Sequence, residues 1–162
     1  VAGKATAGTP ATLALTRAGI AFTSHVYDHD PRATSYGEEA ARALGLSVHE
    51  VFKTLMALVD GAPVIGVVPV SGSLDLKALA AAAGGRRAEM ADAATAQRLT
   101  GYVIGGISPI GQKRSLPTFV DETAGLLDRV YVSGGRRGFD IGLAPDDLLR
   151  ATEGRYADIA RD

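Results

Sequence analysis

The chain is expected to fold as an α/β protein of the α+β kind, with a curled, barrel-like mixed sheet and helices packed outside it. Three observations predict this. Strands and helices interleave without a strict βαβ rhythm, which favours a mixed sheet over an all-parallel one. The run over 51–59 is mostly apolar on both faces, as in a strand covered from both sides. The 162 residues, 46% hydrophobic and 22% charged, suit one domain with a sizeable core built without any cysteine.

Each element has a local reason. Leu13, Leu15 and Arg17 mark a helix over 11–18, with Thr9 placed to cap it ahead of Pro10 and Gly19 to end it. Residues 1–9 read as a flexible lead-in, and 10–162 as a single domain. A strand over 21–27 alternates Phe22, Ser24 and Val26 against Thr23, His25 and Tyr27. Thr34 or Ser35 caps a helix through Leu44, with Glu38 and Glu39 where the dipole favours acids and Gly45 at its end. Ser47 and Glu50 have capping-box spacing for one further turn.

The 51–59 strand ends at Asp60-Gly61, a two-residue turn that makes 64–68 its antiparallel partner until Pro69 stops it. An alanine-rich helix over 74–83 closes on Gly84-Gly85, and 86–89 forms a short strand. Asp92 caps a helix through Leu99. A loop over 100–116 leads to a strand at 118–120. Strands at 130–133 and 139–143 flank a glycine-rich loop, and Pro145-Asp146-Asp147 opens the last helix.

Composition excludes several functions. A net charge of −1 provides no global field for nucleic acid, so DNA is not an expected partner and any RNA contact needs a local patch or a helper protein. The absence of cysteine removes disulfides, thiolate metal sites and a protein thiol nucleophile. No run approaches the roughly 18 apolar residues of a membrane span, and the first ten residues lack the apolar stretch of a secretory signal. A cytoplasmic location is expected, with no membrane partner.

Lys53 is the most informative residue, because it stands inside the apolar 51–59 strand. Burying an unpaired ammonium costs several kcal/mol. Either it snorkels from the strand end to water, or something anionic or strongly polar meets it. His25 and His29 are four apart on a strand, where that spacing does not converge, so no metal site and no cofactor are expected. The loop Gly134-Gly135-Arg136-Arg137-Gly138 lacks Walker spacing; it is a hairpin with solvated arginines or a cradle for a phosphodiester. The stretch 101–113 carries Gly105-Gly106, which allow close backbone approach and exposed N–H groups, and Pro109, which fixes the exit. Ser133 and Asp140 flank one hairpin and can face each other across it. No serine nucleophile motif is present. The chain therefore either only binds, or acts on a substrate that brings its own reactive group.

Four segments, Val51-Phe52-Lys53-Thr54-Leu55, Leu74-Asp75-Leu76-Lys77, Gly105-Gly106-Ile107-Ser108-Pro109 and Tyr131-Val132-Ser133-Gly134-Gly135, together resemble the YbaK family. That family is similar to the editing insertion domain of bacterial prolyl-tRNA synthetases. The resemblance runs from about Ile20 to the end. It implies clearance of cysteine wrongly attached to proline tRNA, with Cys-tRNA(Pro) as substrate and prolyl-tRNA synthetase as a working partner. It makes Lys53 the essential lysine and puts Tyr27, Tyr36, Thr54, Ser133 and Asp140 at pocket positions. Gly105, Gly106, Ser108 and Pro109 match the loop that grips the aminoacyl end, with the two glycine amides as donors to the developing oxyanion. The family's chemistry, in which the substrate thiol attacks its own ester, suits a protein without a nucleophile. Removal of alanine by water attack, and a non-catalytic module that binds aminoacyl or nucleotide ends, remain open beside it.

Overall fold

In the computed structural model, which describes residues 8–162, ten strands and five α-helices alternate. Helix α1 (Pro10–Ala18) starts where Thr9 Oγ1 accepts the Thr12 amide and ends on left-handed Gly19. Most of the expected lead-in lies outside the described residues, but Thr9 belongs to the body of the protein as a buried cap. Strand β1 (Thr23–Val26) is shorter than expected. Helix α2 (Tyr36–Leu44) ends on left-handed Gly45, and Ser35 at its N-cap makes no side-chain capping bond. The 47–50 segment is a single turn, in which Glu50 Oε1 accepts the Ser47 amide.

Strands β2 (Phe52–Val59) and β3 (Ala62–Pro69) form the expected hairpin, with positive φ at Asp60 and Gly61. Next come β4 (Ser73–Leu74), α3 (Leu76–Ala82), β5 (Ala88–Met90) and α4 (Ala93–Thr100), the two helices capped by Asp75 and Asp92. After the 101–117 loop come β6 (Thr118–Asp121), a 3₁₀ turn (Glu122–Leu126), β7 (Val130–Arg136), β8 (Phe139–Leu143) and α5 (Pro145–Thr152). Two short closing strands, β9 (Arg155–Ala157) and β10 (Ala160–Arg161), carry no pattern that sequence reading detects.

The larger sheet runs β5-β2-β3-β6-β9, antiparallel through β5-β2-β3 and parallel through β3-β6-β9. The second is the antiparallel set β1-β8-β7, and β10 pairs with β4 in a separate two-stranded antiparallel ladder. One parallel bridge, Val51 to Tyr131, joins them, supported by the Tyr131 amide donating to the Glu50 carbonyl at 3.0 Å. The sheet curls at this corner, but among the described residues no ladder closes it into a barrel.

Between the sheets lies the main core, with Phe52, Met56, Ile65, Val67 and Val120 facing Val132, Ile141 and Leu143, and with Leu15 and Leu148 from α1 and α5. On the opposite face of β2 and β3, Ala57, Val59, Val64 and Val68 pack with Leu79 of α3 and with Ile159. Strand β2 is thus covered on both sides, as its apolar run requires. No helix among the described residues is long and apolar enough to cross a membrane.

Candidate functional site

A cavity of about 290 Å³ opens at the N-terminal end of β2. Five parts of the fold meet there: β2 itself, the start of α2, the β7–β8 pair, Tyr27 just past β1, and the 101–117 loop. Lys53, Thr54, Tyr27, Tyr36, Gly105, Ser133 and Asp140 all line it. These residues span more than a hundred positions of sequence, and the curl at the Val51–Tyr131 bridge brings them together.

The 101–117 loop is held from within. The buried Tyr102 donates its hydroxyl to the Ile110 carbonyl at 2.6 Å, and Gln97 Oε1 accepts the Ile104 amide at 2.9 Å. Gly105 has φ +86°, and a Cβ there would lie 2.7 Å from the Tyr36 ring. Only glycine allows the loop to lie against that ring. Its N–H donates to no group among the described residues.

Tyr36 is fixed on several sides. The His29 ring lies 5.7 Å from it, and the Arg137 guanidinium sits 5.2 Å from its centroid. Arg137 Nε also donates to the Ile104 carbonyl at 2.8 Å. His29 is held in turn by the buried Glu39, whose carboxylate accepts from the Asp30 amide at 2.7 Å and contacts His29 Nδ1 at 2.8 Å. Arg137 and the Glu39–His29 pair therefore brace the cavity wall.

Three polar groups in the cavity lack partners among the described residues. The Lys53 ammonium, half-buried, forms no ion pair or hydrogen bond. Thr54 Oγ1 is a buried hydroxyl with no hydrogen bond. Asp140, only 6% exposed, meets neither cation nor donor, and burial pushes its carboxyl up to about 7. Burial and the Asp140 charge likewise push the Tyr27 phenol up to about 12. Buried polar groups are normally bonded, so Thr54 Oγ1 is an exception, and Lys53 and Asp140 face the same hollow without partners among the described residues. Lys53, half-buried at the cavity, finds no internal counter-ion among the described residues.

Three residues expected at the site sit elsewhere. Ser108 is fully buried and its Oγ accepts the Ile110 amide at 3.3 Å, so it shapes the loop from inside. Pro109 is buried beside a separate groove with Gly111, Gln112 and the end of α5. Gly106 directs its amide to the Val103 carbonyl at 2.8 Å, and a Cβ there would lie 2.7 Å from Arg136 Cα. That amide is occupied within the loop, so of the two glycines it is Gly105 whose N–H is free among the described residues. Sequence reading missed Thr34, Ser35, Gly37, Ile104 and Ile107, which also line the cavity. Gly37 had a readable signal, a glycine in a first helical turn, and it lets α2 pack on Val70. The Glu39–His29 pair had none.

Ser133 and Asp140 pair across β7 and β8, as their hairpin spacing suggested. The other histidines have structural contacts: His25 Nε2 lies 2.8 Å from Thr23 Oγ1, and His49 Nδ1 lies 3.0 Å from Ser71 Oγ.

The profile of a family described as the aminoacyl-tRNA editing domain matches residues 29–151, a span that holds every lining residue except Tyr27. The chain belongs to that family. A curated protein of Enterococcus faecalis (strain ATCC 700802 / V583), provisionally named Cys-tRNA(Pro)/Cys-tRNA(Cys) deacylase EbsC, is 41% identical over 123 residues, 75% of each chain. The fold is similar to the crystal structure of a hypothetical protein, APE2540, with a TM-score of 0.84 and 27% identity over 94% of this chain and 99% of that one. It is similar also to a provisionally assigned trans-editing enzyme for prolyl tRNA synthetase, with a TM-score of 0.80 and 26% identity over 94% and 96%.

Proposed function

We propose that this protein is an aminoacyl-tRNA deacylase that clears cysteine from mischarged Cys-tRNA(Pro). The observation that carries the reading is the cavity in which Lys53, Thr54 Oγ1 and Asp140 stand unpartnered beside a free Gly105 amide. The name of the Enterococcus relative supports the substrate class. A tRNA substrate puts the reaction in the cytoplasm, where prolyl-tRNA synthetase would supply tRNA selection.

No activated protein nucleophile lines the cavity, so the substrate supplies one. Its thiol sulfur bonds to the ester carbonyl carbon, the bond from that carbon to the ribose oxygen breaks, and the thiol proton ends on the ribose hydroxyl. A cyclic thiolactone leaves. Intramolecular attack gains from high effective molarity, several kcal/mol when the geometry is right. The Gly105 amide faces the developing oxyanion, a contribution of roughly 3 kcal/mol per donor. Lys53 anchors the anionic or ribose portion of the RNA end, and Tyr27, Tyr36, Thr54 and Ser133 shape the pocket around it.

Deacylation of Cys-tRNA(Pro), Ser-tRNA(Pro) and Ala-tRNA(Pro) by wild type and Lys53→Ala tests this. Cys-tRNA(Pro) should be cleared much faster than the other two, and Lys53→Ala should abolish the reaction. Equal rates on the cysteine and serine esters would point to an external water. Preferential loss of alanine would replace the substrate, and full activity of Lys53→Ala would remove the anchoring role.

A further inference from the structure

We infer that Asp140 is the receptor for the α-ammonium of the aminoacyl group and so fixes which way round the ester lies in the cavity; this rests on the deacylase reading above. Asp140 lies on β8 opposite Ser133, and both line the cavity with Lys53. Its carboxylate has no cation or donor among the described residues. That is a costly arrangement in a pocket for an RNA terminus, because a buried lone carboxylate repels a polyanion. The carboxyl can escape the cost by keeping its proton, but a ligand that presents a cation there makes the charged form favourable.

An aminoacyl-RNA end carries one cationic group, the α-ammonium, two bonds from the carbonyl under attack. The charges then run in order across the hollow: the RNA end toward Lys53 on β2, the ammonium toward Asp140 on β8. Tyr27, which lines the same cavity near enough to feel the Asp140 charge, closes that end with a phenol that stays neutral at physiological pH. His25, the cross-strand partner of Asp140 on β1, is engaged by Thr23, and its pKa is lowered by burial and by Arg129, so it does not supply the missing cation. With amine and RNA both held, the side chain of the amino acid points one way only. Asp140 thereby acts on stereochemistry and on the thiol's approach without touching the thiol.

The test compares two esters on the same tRNA(Pro). One is cysteinyl. The other is 3-mercaptopropionyl, which keeps the thiol and the ring size of the thiolactone and lacks the amine. Wild type should process the amine-free ester with kcat/KM lower by on the order of 10- to 100-fold, the range of a charge-assisted hydrogen bond. Asp140→Asn should lose a similar factor on the cysteinyl ester and almost none on the amine-free one. Wild type treating both esters within about twofold overturns the assignment without help from any variant. So does Asp140→Asn slowing both esters equally, the pattern of a base for the thiol. If wild type leaves Cys-tRNA(Pro) intact, the deacylase reading itself has failed and the assignment falls with it.

Discussion

Replacing Asp140 with asparagine should change stability in a pH-dependent way. The carboxyl has a pKa of about 7 in the folded protein against an ordinary value of 3.8, with burial as the cause. The groups around it are Ser133 on β7, His25 on β1, and Tyr27 and Lys53 in the cavity, and all are common to both proteins. A raised acid pKa means that the folded state keeps the proton longer than the unfolded chain. The group's contribution is therefore fully present below pH about 4 and is lost as pH rises through about 7. Between pH 5 and pH 9 the unfolded carboxyl is charged throughout, while the folded one is charged only over the upper half. That is about two pKa units at 1.36 kcal/mol each, or about 3 kcal/mol. Asparagine has nearly the same shape and does not titrate; its buried amide costs the same at both ends of the range. Urea unfolding of both proteins from pH 5 to pH 9 should show the difference in stability moving toward Asp140→Asn by about 3 kcal/mol. A difference flat with pH would refute an unpaired, desolvated carboxyl.

Three further substitutions probe the rest of the cavity. Thr54→Val removes an unpartnered buried hydroxyl with little change of shape, and should raise stability by about 1 kcal/mol in thermal unfolding while lowering deacylation by about tenfold. Gly105→Ala forces a Cβ at φ +86° into the Tyr36 ring, and should cost about 1–3 kcal/mol by the same measurement and reduce kcat/KM, since the loop must retreat with its amide. Glu39→Ala strands the Asp30 amide and releases His29 from behind Tyr36; about 1–3 kcal/mol of stability should go, with KM rising more than kcat falls.

Sequence alone revealed the elements whose chemistry is local. The Thr9 and Asp92 caps, the left-handed ends at Gly19 and Gly45, and the Asp60-Gly61 turn are each decided within four or five residues. The Asp75 cap was missed and Asp75 read as part of the helix, because the β4 strand before it is only two residues long. The same is true of β10, which depends on Asp121 accepting the Ile159 and Ala160 amides from 38 and 39 residues away. Lys53 stood out in the sequence as a candidate because a charge in a two-sided apolar strand breaks the local pattern, and it lines the cavity. Asp140 was not legible from its own neighbourhood, since nothing around it in sequence says that β1 and β7 will bury it. Ser108 and Pro109 are the opposite case, expected at the pocket and found outside its lining. A short motif that goes with function also contains the residues that hold its backbone in shape, and sequence does not separate the two.

The glycine-rich loop at 134–138 offered two readings, a solvated turn or a cradle for phosphate, and its contacts fit neither well. Arg136 lies 4.8 Å from the centroid of the Phe139 ring, and Arg137 bonds the Ile104 carbonyl while stacking on Tyr36. Arg137, though exposed, is held by a hydrogen bond and a ring, whereas half-buried Arg136 has the ring contact alone. Drawing Arg137 onto a phosphate would release the segment whose Gly105 amide is the free donor. Lys53 differs, because it has no partner to give up. Strong phosphate binding by Arg137 would therefore work against the arrangement proposed to serve the ester, a cost that exposed cations such as Lys77, Arg86 and Lys113 do not carry. On the proposed reading, discrimination falls to the cavity between Lys53 and Asp140, where the acyl group would sit, and Arg137 serves it from behind by holding the Ile104 carbonyl.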